Sequence, residues 1–110
     1  MQKLTRAQIL DLRKLFQRSE RYSRKEYLIE GEKVIQEAVL SGVIIKKLIV
    51  TEEFLVSGKD YLASLGVSEN SYGVVPEESM QQLSGMVTAP GVMAVVAMIT
   101  FLWKMFKKRK

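Results

Sequence analysis

Between Arg18 and Lys33 the chain reads Arg-Ser-Glu-Arg-Tyr-Ser-Arg-Lys-Glu-Tyr-Leu-Ile-Glu-Gly-Glu-Lys, a basic stretch with an aromatic ring that leads into a short apolar run and a Glu-Gly turn. Guanidinium and ammonium groups neutralise phosphates, and a tyrosine ring stacks on a base or hydrogen-bonds to it. A glycine at the start of a helix lets backbone come close to a ligand. The candidates for contact with a polyanion are therefore Arg18, Arg21, Tyr22, Arg24, Lys25 and Lys33, with Glu30 and Gly31 at the turn. Against this stands the ordinary reading of Arg/Lys runs as solvated faces. Tyr27, at the start of the apolar run, reads as a residue of the core edge.

Charge is unevenly distributed. Of the 17 Lys/Arg and 12 Asp/Glu residues, nine basic and five acidic ones fall in residues 1–33, three and seven in residues 34–103, and five and none in residues 104–110. Two basic ends around an acidic middle give a localised field, which steers a polyanion better than a uniform excess does. Enzymatic chemistry is poorly supplied. The chain has no His and no Cys, no Gly-rich phosphate loop and no carboxylate cluster with metal-ligand spacing, so neither a metal nor a catalytic site is expected.

A length of 110 residues with 47% hydrophobic content describes one folded domain. The absence of cysteine removes disulfides, and the polar start Met1-Gln-Lys-Leu-Thr-Arg lacks the apolar core of a signal peptide, so a cytoplasmic address is expected. Every residue from Val92 to Trp103 except Thr100 is apolar, and Lys104, Lys107, Lys108, Arg109 and Lys110 follow, in the order of a membrane anchor with a basic flank. Those 12 positions fall short of the ~17–25 that a spanning helix requires, which argues against a membrane partner.

The elements that would position these groups follow from periodicity. Thr5 and Gln8 form a capping-box pair, Leu4 and Ile9 a hydrophobic staple, and Ile9, Leu12, Leu15 and Phe16 recur on one helical face. Tyr27–Ile29 is extended. Val34, Ile35, Ala38 and Val39 return to helical spacing between Gly31 and Gly42, and the β-branched run 43–51 predicts a strand. Thr51 caps a helical region that Gly58 divides, Tyr72–Val75 is a short strand, Pro76 opens a helix through Met80 and Leu83, and Val92–Met98 is a strand covered on both faces. This alternation predicts an α/β fold, a three-layer α/β/α sandwich on a mainly parallel four-stranded sheet.

Several segments then combine into a family pattern. The basic stretch through Arg21 and Arg24, Tyr27-Leu28-Ile29-Glu30-Gly31-Glu32-Lys33, the helix end at Ser41-Gly42, Leu48-Ile49-Val50-Thr51, Val74-Val75-Pro76, Leu83-Ser84 and Thr88-Ala89-Pro90-Gly91-Val92 resemble, over residues 4–98, the N-terminal substrate-binding domain of SpoU/TrmH-type RNA ribose 2′-O-methyltransferases. The resemblance implies a fold shared with kink-turn-binding ribosomal proteins and an rRNA or tRNA partner. It implies that the Glu30-Gly31 turn and the Thr88, Pro90, Gly91 loop lie together at one sheet end, ringed by Arg21, Arg24, Lys25 and Lys33, with Arg21 and Arg24 on phosphate. It also implies that S-adenosylmethionine and dimerisation belong to a separate catalytic domain whose motifs cannot be placed here, so this chain is expected to be monomeric and not catalytic by itself. Pro90 directly before Gly91 departs from the family pattern, in which a polar residue intervenes, and this puts a side-chain contact there in question. Residues 1–100 are read as the RNA substrate-binding domain, and residues 101–110 as a basic apolar tail or the start of a linker. A stand-alone ribosome- or structured-RNA-binding protein and a membrane-surface protein are the alternatives.

Overall fold

The computed structural model describes residues 1–98 and Trp103. Its first helix, α1 (Arg6–Arg13), begins with the reciprocal box expected of its sequence: Thr5 Oγ1 accepts from the Gln8 N–H at 3.1 Å, and Gln8 Oε1 accepts from the Thr5 N–H at 2.8 Å. A 3-10 turn over Lys14–Phe16 then leads into α2 (Arg18–Arg24), where residue types alone suggest a loop. Lys25 ends α2 in the left-handed region at φ 58°, the only non-glycine residue with positive φ among the described ones. The chain continues through β2 (Glu26–Glu30), α3 (Glu32–Leu40), β3 (Ile45–Thr51), α4 (Glu52–Ser57), α5 (Lys59–Leu65), β4 (Tyr72–Val75), α6 (Glu77–Leu83) and β5 (Val92–Ala97). A two-residue strand, β1 (Gln2–Lys3), precedes them all.

The sheet is thus five-stranded, one strand more than expected, in the order β1-β4-β3-β5-β2. β1, β3 and β4 pair in parallel, while β5 runs antiparallel to both of its neighbours, β3 and β2. Four strands therefore point one way and β5 alone runs against them. Val92 to Val96 are buried because helices cover both sheet faces, and that cover, not strand direction, accounts for the continuous apolar run.

Alternation along the strands divides the core. On one face Leu48, Val50, Val74, Val92, Ala94 and Val96 meet Ile35 and Ala38 of α3 and Leu62 and Leu65 of α5. On the other, Ile49, Val75 and Met93 meet Ile9 of α1 and Met80 and Leu83 of α6. The result is the α/β/α sandwich that the element order predicts. No described helix is long and apolar enough to cross a membrane. The tail, residues 101–110, lies outside the described residues except for Trp103, which is exposed.

Candidate nucleic-acid interface

Because β2, β3 and β4 run in the same direction, their C-terminal ends and the start of β5 meet at one end of the sheet. The Gly31 N–H donates to the Val92 carbonyl at 3.2 Å, and the Thr51 N–H donates to the Gly91 carbonyl at 3.2 Å. The Glu30-Gly31 turn and the Thr88–Gly91 loop are thus neighbours, as the resemblance implied. Gly31 sits at φ 96°, where an L side chain is strained, and a Cβ there would find only the Met86 side chain, at 4.0 Å. Gly91 is glycine for a different reason: a Cβ at this position would stand 2.6 Å from Cδ1 of the Phe54 ring.

Glu30 holds the loop between α6 and β5. Its Oε1 accepts from Ser84 Oγ at 2.5 Å and its Oε2 from the Gly85 N–H at 2.9 Å. Gln81 completes the support, donating from Nε2 to the carbonyls of Met86 and Val87 and accepting at Oε1 from the Ala89 N–H. Gln81 has no distinguishing sequence signal, because a glutamine on an exposed helix face is ordinary. Beside the loop, a cleft of about 340 Å³ is lined by Thr51, Glu53, Phe54, Glu77, Thr88 and Gly91 among others. The rim of this sheet end is acidic: Glu52 and Glu53 open α4, Glu77 and Glu78 open α6, and Glu32 opens α3. A hydrogen bond shared with the Glu53 carboxylate holds the Glu77 carboxyl above its usual range. Burial, with the charge of Glu32 adding to it, pushes the Tyr61 hydroxyl up to about 12. That hydroxyl donates to the Glu32 carbonyl at 2.6 Å and ties α5 to the first turn of α3.

The cations are placed differently from the expected ring. Arg21 is near the turn and lines a second cleft, of about 350 Å³, with Phe16, Leu28, Glu30 and Gly85. However, its Nη1 donates to the carbonyls of Leu15 and Phe16, each at 2.9 Å, and its guanidinium lies 5.6 Å from the centre of the Tyr27 ring. Its Nε is buried without a hydrogen-bond partner. Arg24 is also engaged: Nη1 and Nη2 form a fork on the Asp11 carboxylate at 2.9 Å each, and Nε reaches Glu20 at 3.2 Å. Arg24 and Lys25 precede β2, so the length of that strand, five residues or about 17 Å, separates them from the turn at its other end. Of the expected ring, only Arg21 and Lys33 stand near Glu30-Gly31. Lys33 is exposed on the first turn of α3, and Arg18 and Tyr22 are exposed on α2, with the Arg18 guanidinium 5.4 Å from the Tyr22 ring centre. Among the described residues no group of three or more His, Cys, Asp or Glu side chains could hold a metal ion.

A comparison with curated protein sequences returned no match. Solved structures are similar over most of the chain. A crystal structure of an RNA 2′-O ribose methyltransferase is 25% identical with a TM-score of 0.74, covering 89% of this chain and 38% of that one. An rRNA methyltransferase from Sinorhizobium meliloti (20% identity, TM-score 0.63, 87% and 35% coverage) and the SpoU methyltransferase AviRb from Streptomyces viridochromogenes (21%, 0.63, 84% and 33%) share the fold. The chain spans about a third of the length of these structures. Residues 6–94 match the family model of the MRM3-like substrate binding domain. With that match covering most of the sequence, this chain belongs to the MRM3-like substrate-binding domain family and has the fold of the substrate-binding part of SpoU/TrmH RNA methyltransferases.

Proposed function

We propose that this domain binds rRNA or tRNA and presents it for ribose 2′-O-methylation, without transferring the methyl group itself. The observation that carries this reading is the family match over residues 6–94. The physical layout supports it. Exposed Arg18 and Lys25 suit phosphates, and Tyr22, already stacked by Arg18, suits a base. The carboxylate of Glu30 fixes the loop that carries Thr88, Pro90 and Gly91, so the backbone of that loop is pre-organised for a ribose or base edge. Arg21 and Arg24 are positioning residues in this reading, since Arg21 Nη1 is held by two backbone carbonyls and the Arg24 guanidinium by Asp11 and Glu20. S-adenosylmethionine would be held outside residues 1–100, and the domain alone would be monomeric in the cytoplasm.

The test is a titration of the chain with structured and single-stranded RNA across ionic strength. Binding should weaken with salt along a straight line of log K against log salt. Affinity for RNA that is no greater than for an uncharged polymer, at low salt, would overturn the reading.

A further inference from the structure

The cations that remain unpaired do not gather at the Glu-Gly end of the sheet. Seven Lys/Arg and two Asp/Glu residues lie between Arg6 and Lys25, an excess equal to the net charge of +5 carried by the whole chain. This span is α1, the 3-10 turn and α2. The three helices that start at the C-terminal ends of β2, β3 and β4 present glutamates there instead, Glu32, Glu52, Glu53, Glu77 and Glu78, with Lys3 already paired to Glu52 at 3.4 Å. A phosphate chain approaching that end meets negative potential, whereas one approaching α1 and α2 meets positive potential.

Helical spacing arranges the unpaired cations in two stripes. Arg6, Leu10 and Arg13 stand at i, i+4 and i+7 on α1, and Leu10 is 44% exposed, which shows that this face points away from the core that Ile9 enters. Arg18, Tyr22 and Lys25 repeat the spacing on α2 and at its cap, and Tyr22 is 48% exposed. Arg6, Arg13 and Lys25 are exposed and make no ion pair among the described residues. The Arg24 fork on Asp11 joins the two helices and uses up the carboxylate that would otherwise screen them.

We infer that the outer surface of the α1–α2 pair is the phosphate-binding track of this domain, with Arg6, Arg13, Arg18 and Lys25 as its cations and Tyr22 as its stacking platform, and that the acidic sheet end does not carry the phosphate backbone. This inference rests on the proposed RNA-binding function and assigns the surface for it. Arg6 and Arg13 are new to the site. Alternating cations and an exposed ring favour a single-stranded or looped polyribonucleotide over a lipid headgroup, because a stacked base gains from Tyr22 and a lipid phosphate does not.

The test compares the full chain with R6Q/R13Q, Y22A and, on the opposite sheet face, K59Q as control, all against the same single-stranded oligoribonucleotide and against vesicles containing phosphatidylserine. Because Lys104–Lys110 are unchanged throughout, any contribution from the basic tail cancels in the comparison. R6Q/R13Q should lower RNA affinity on the order of tenfold at moderate salt and make the log–log salt slope shallower by about 0.7 for each phosphate that is no longer neutralised. Y22A should lower affinity with the slope unchanged, K59Q should leave both unchanged, and all variants should melt with the parent. Parental RNA affinity and slope in R6Q/R13Q would overturn the assignment of the surface while leaving RNA binding intact. No RNA binding by the parent chain would overturn the function and the track together. Equal losses on vesicles and RNA, with Y22A silent, would replace the track with a membrane-surface patch.

Discussion

At the residue scale, the groups whose types suggested ligand contact divide into those turned inward and those left outside. Glu30 is the clearest inward case. Replacing it by Gln keeps one acceptor for the Gly85 N–H, removes the charge, and sets an NH2 donor against the Ser84 hydroxyl, which must then turn from donor to acceptor. We expect Glu30→Gln to cost about 1 kcal/mol, measured as a shift in the denaturant midpoint, and to speed amide exchange at Gly85 before any global change. The two glycines separate by cause. Gly31→Ala meets backbone strain in open space, whereas Gly91→Ala drives a Cβ into Phe54 in ordinary backbone geometry. A second substitution, Phe54→Leu, should therefore rescue part of the Gly91→Ala loss and none of the Gly31→Ala loss, a difference that a double-mutant cycle reads directly. The sequence shows both glycines at turns but not which constraint each obeys, because Phe54 is distant in sequence from Gly91 and meets it only once the sheet has formed.

At the element scale, α2 is the part of the fold that the sequence hid. Arg18–Arg24 has no buried residue and no side-chain N-cap, and its stop is a lysine in the left-handed region, so periodicity, capping and glycine signals all fail together. What holds it is tertiary: the fork from Arg24 to Asp11 of α1 and the Arg21 donors on the carbonyls of the preceding turn. By contrast, α1, α3 and α6 were legible because each carries an apolar stripe that the sheet buries. Antiparallel β5 was not legible in direction, since a strand covered on both faces has the same composition either way. The clasp also fixes a pH dependence. The hydrogen bond from Arg24 lowers the Asp11 carboxyl below its ordinary value, so the stabilisation is present above the unfolded carboxyl pKa of about 3.9 and is lost as pH falls through the lower folded value. Asp11 is more than half exposed, so solvent screening limits the effect to about 1 kcal/mol or less. The difference in melting temperature between the parent chain and Asp11→Asn should accordingly be small at neutral pH and vanish in acid below that window. A difference that grows in acid would contradict the clasp.

At the scale of the whole molecule, the position of β5 decides where the chain can be shortened. β5 lies between β3 and β2 and supplies side chains to both core faces, Val92, Ala94 and Val96 to one and Met93 to the other. Without it β2 has no partner strand, and the acidic sheet end loses the loop that Glu30 and Gln81 anchor. Burial of Val92, Met93, Val95 and Val96 contributes roughly 1.5–3 kcal/mol apiece, together comparable to the ~5–15 kcal/mol by which a domain of this size is stable. A chain ending at Ser84 should therefore fail to fold, although every helix of the described sandwich is still encoded in it. A chain ending at Met98 retains both core clusters and the last described backbone bond, from the Met98 N–H to the Lys25 carbonyl at 2.8 Å. It should melt cooperatively within a few degrees of the full chain. The same shortened chain also separates the two sources of positive charge, because it keeps the α1–α2 stripes and lacks Lys104–Lys110. If the helical pair is the track, RNA affinity at low salt should fall only by the electrostatic share of five removed cations, and the sensitivity to R6Q/R13Q should remain undiminished in the shortened background. Loss of all RNA binding on removal of residues 99–110, with the fold intact by circular dichroism, would instead assign the polyanion contact to the tail.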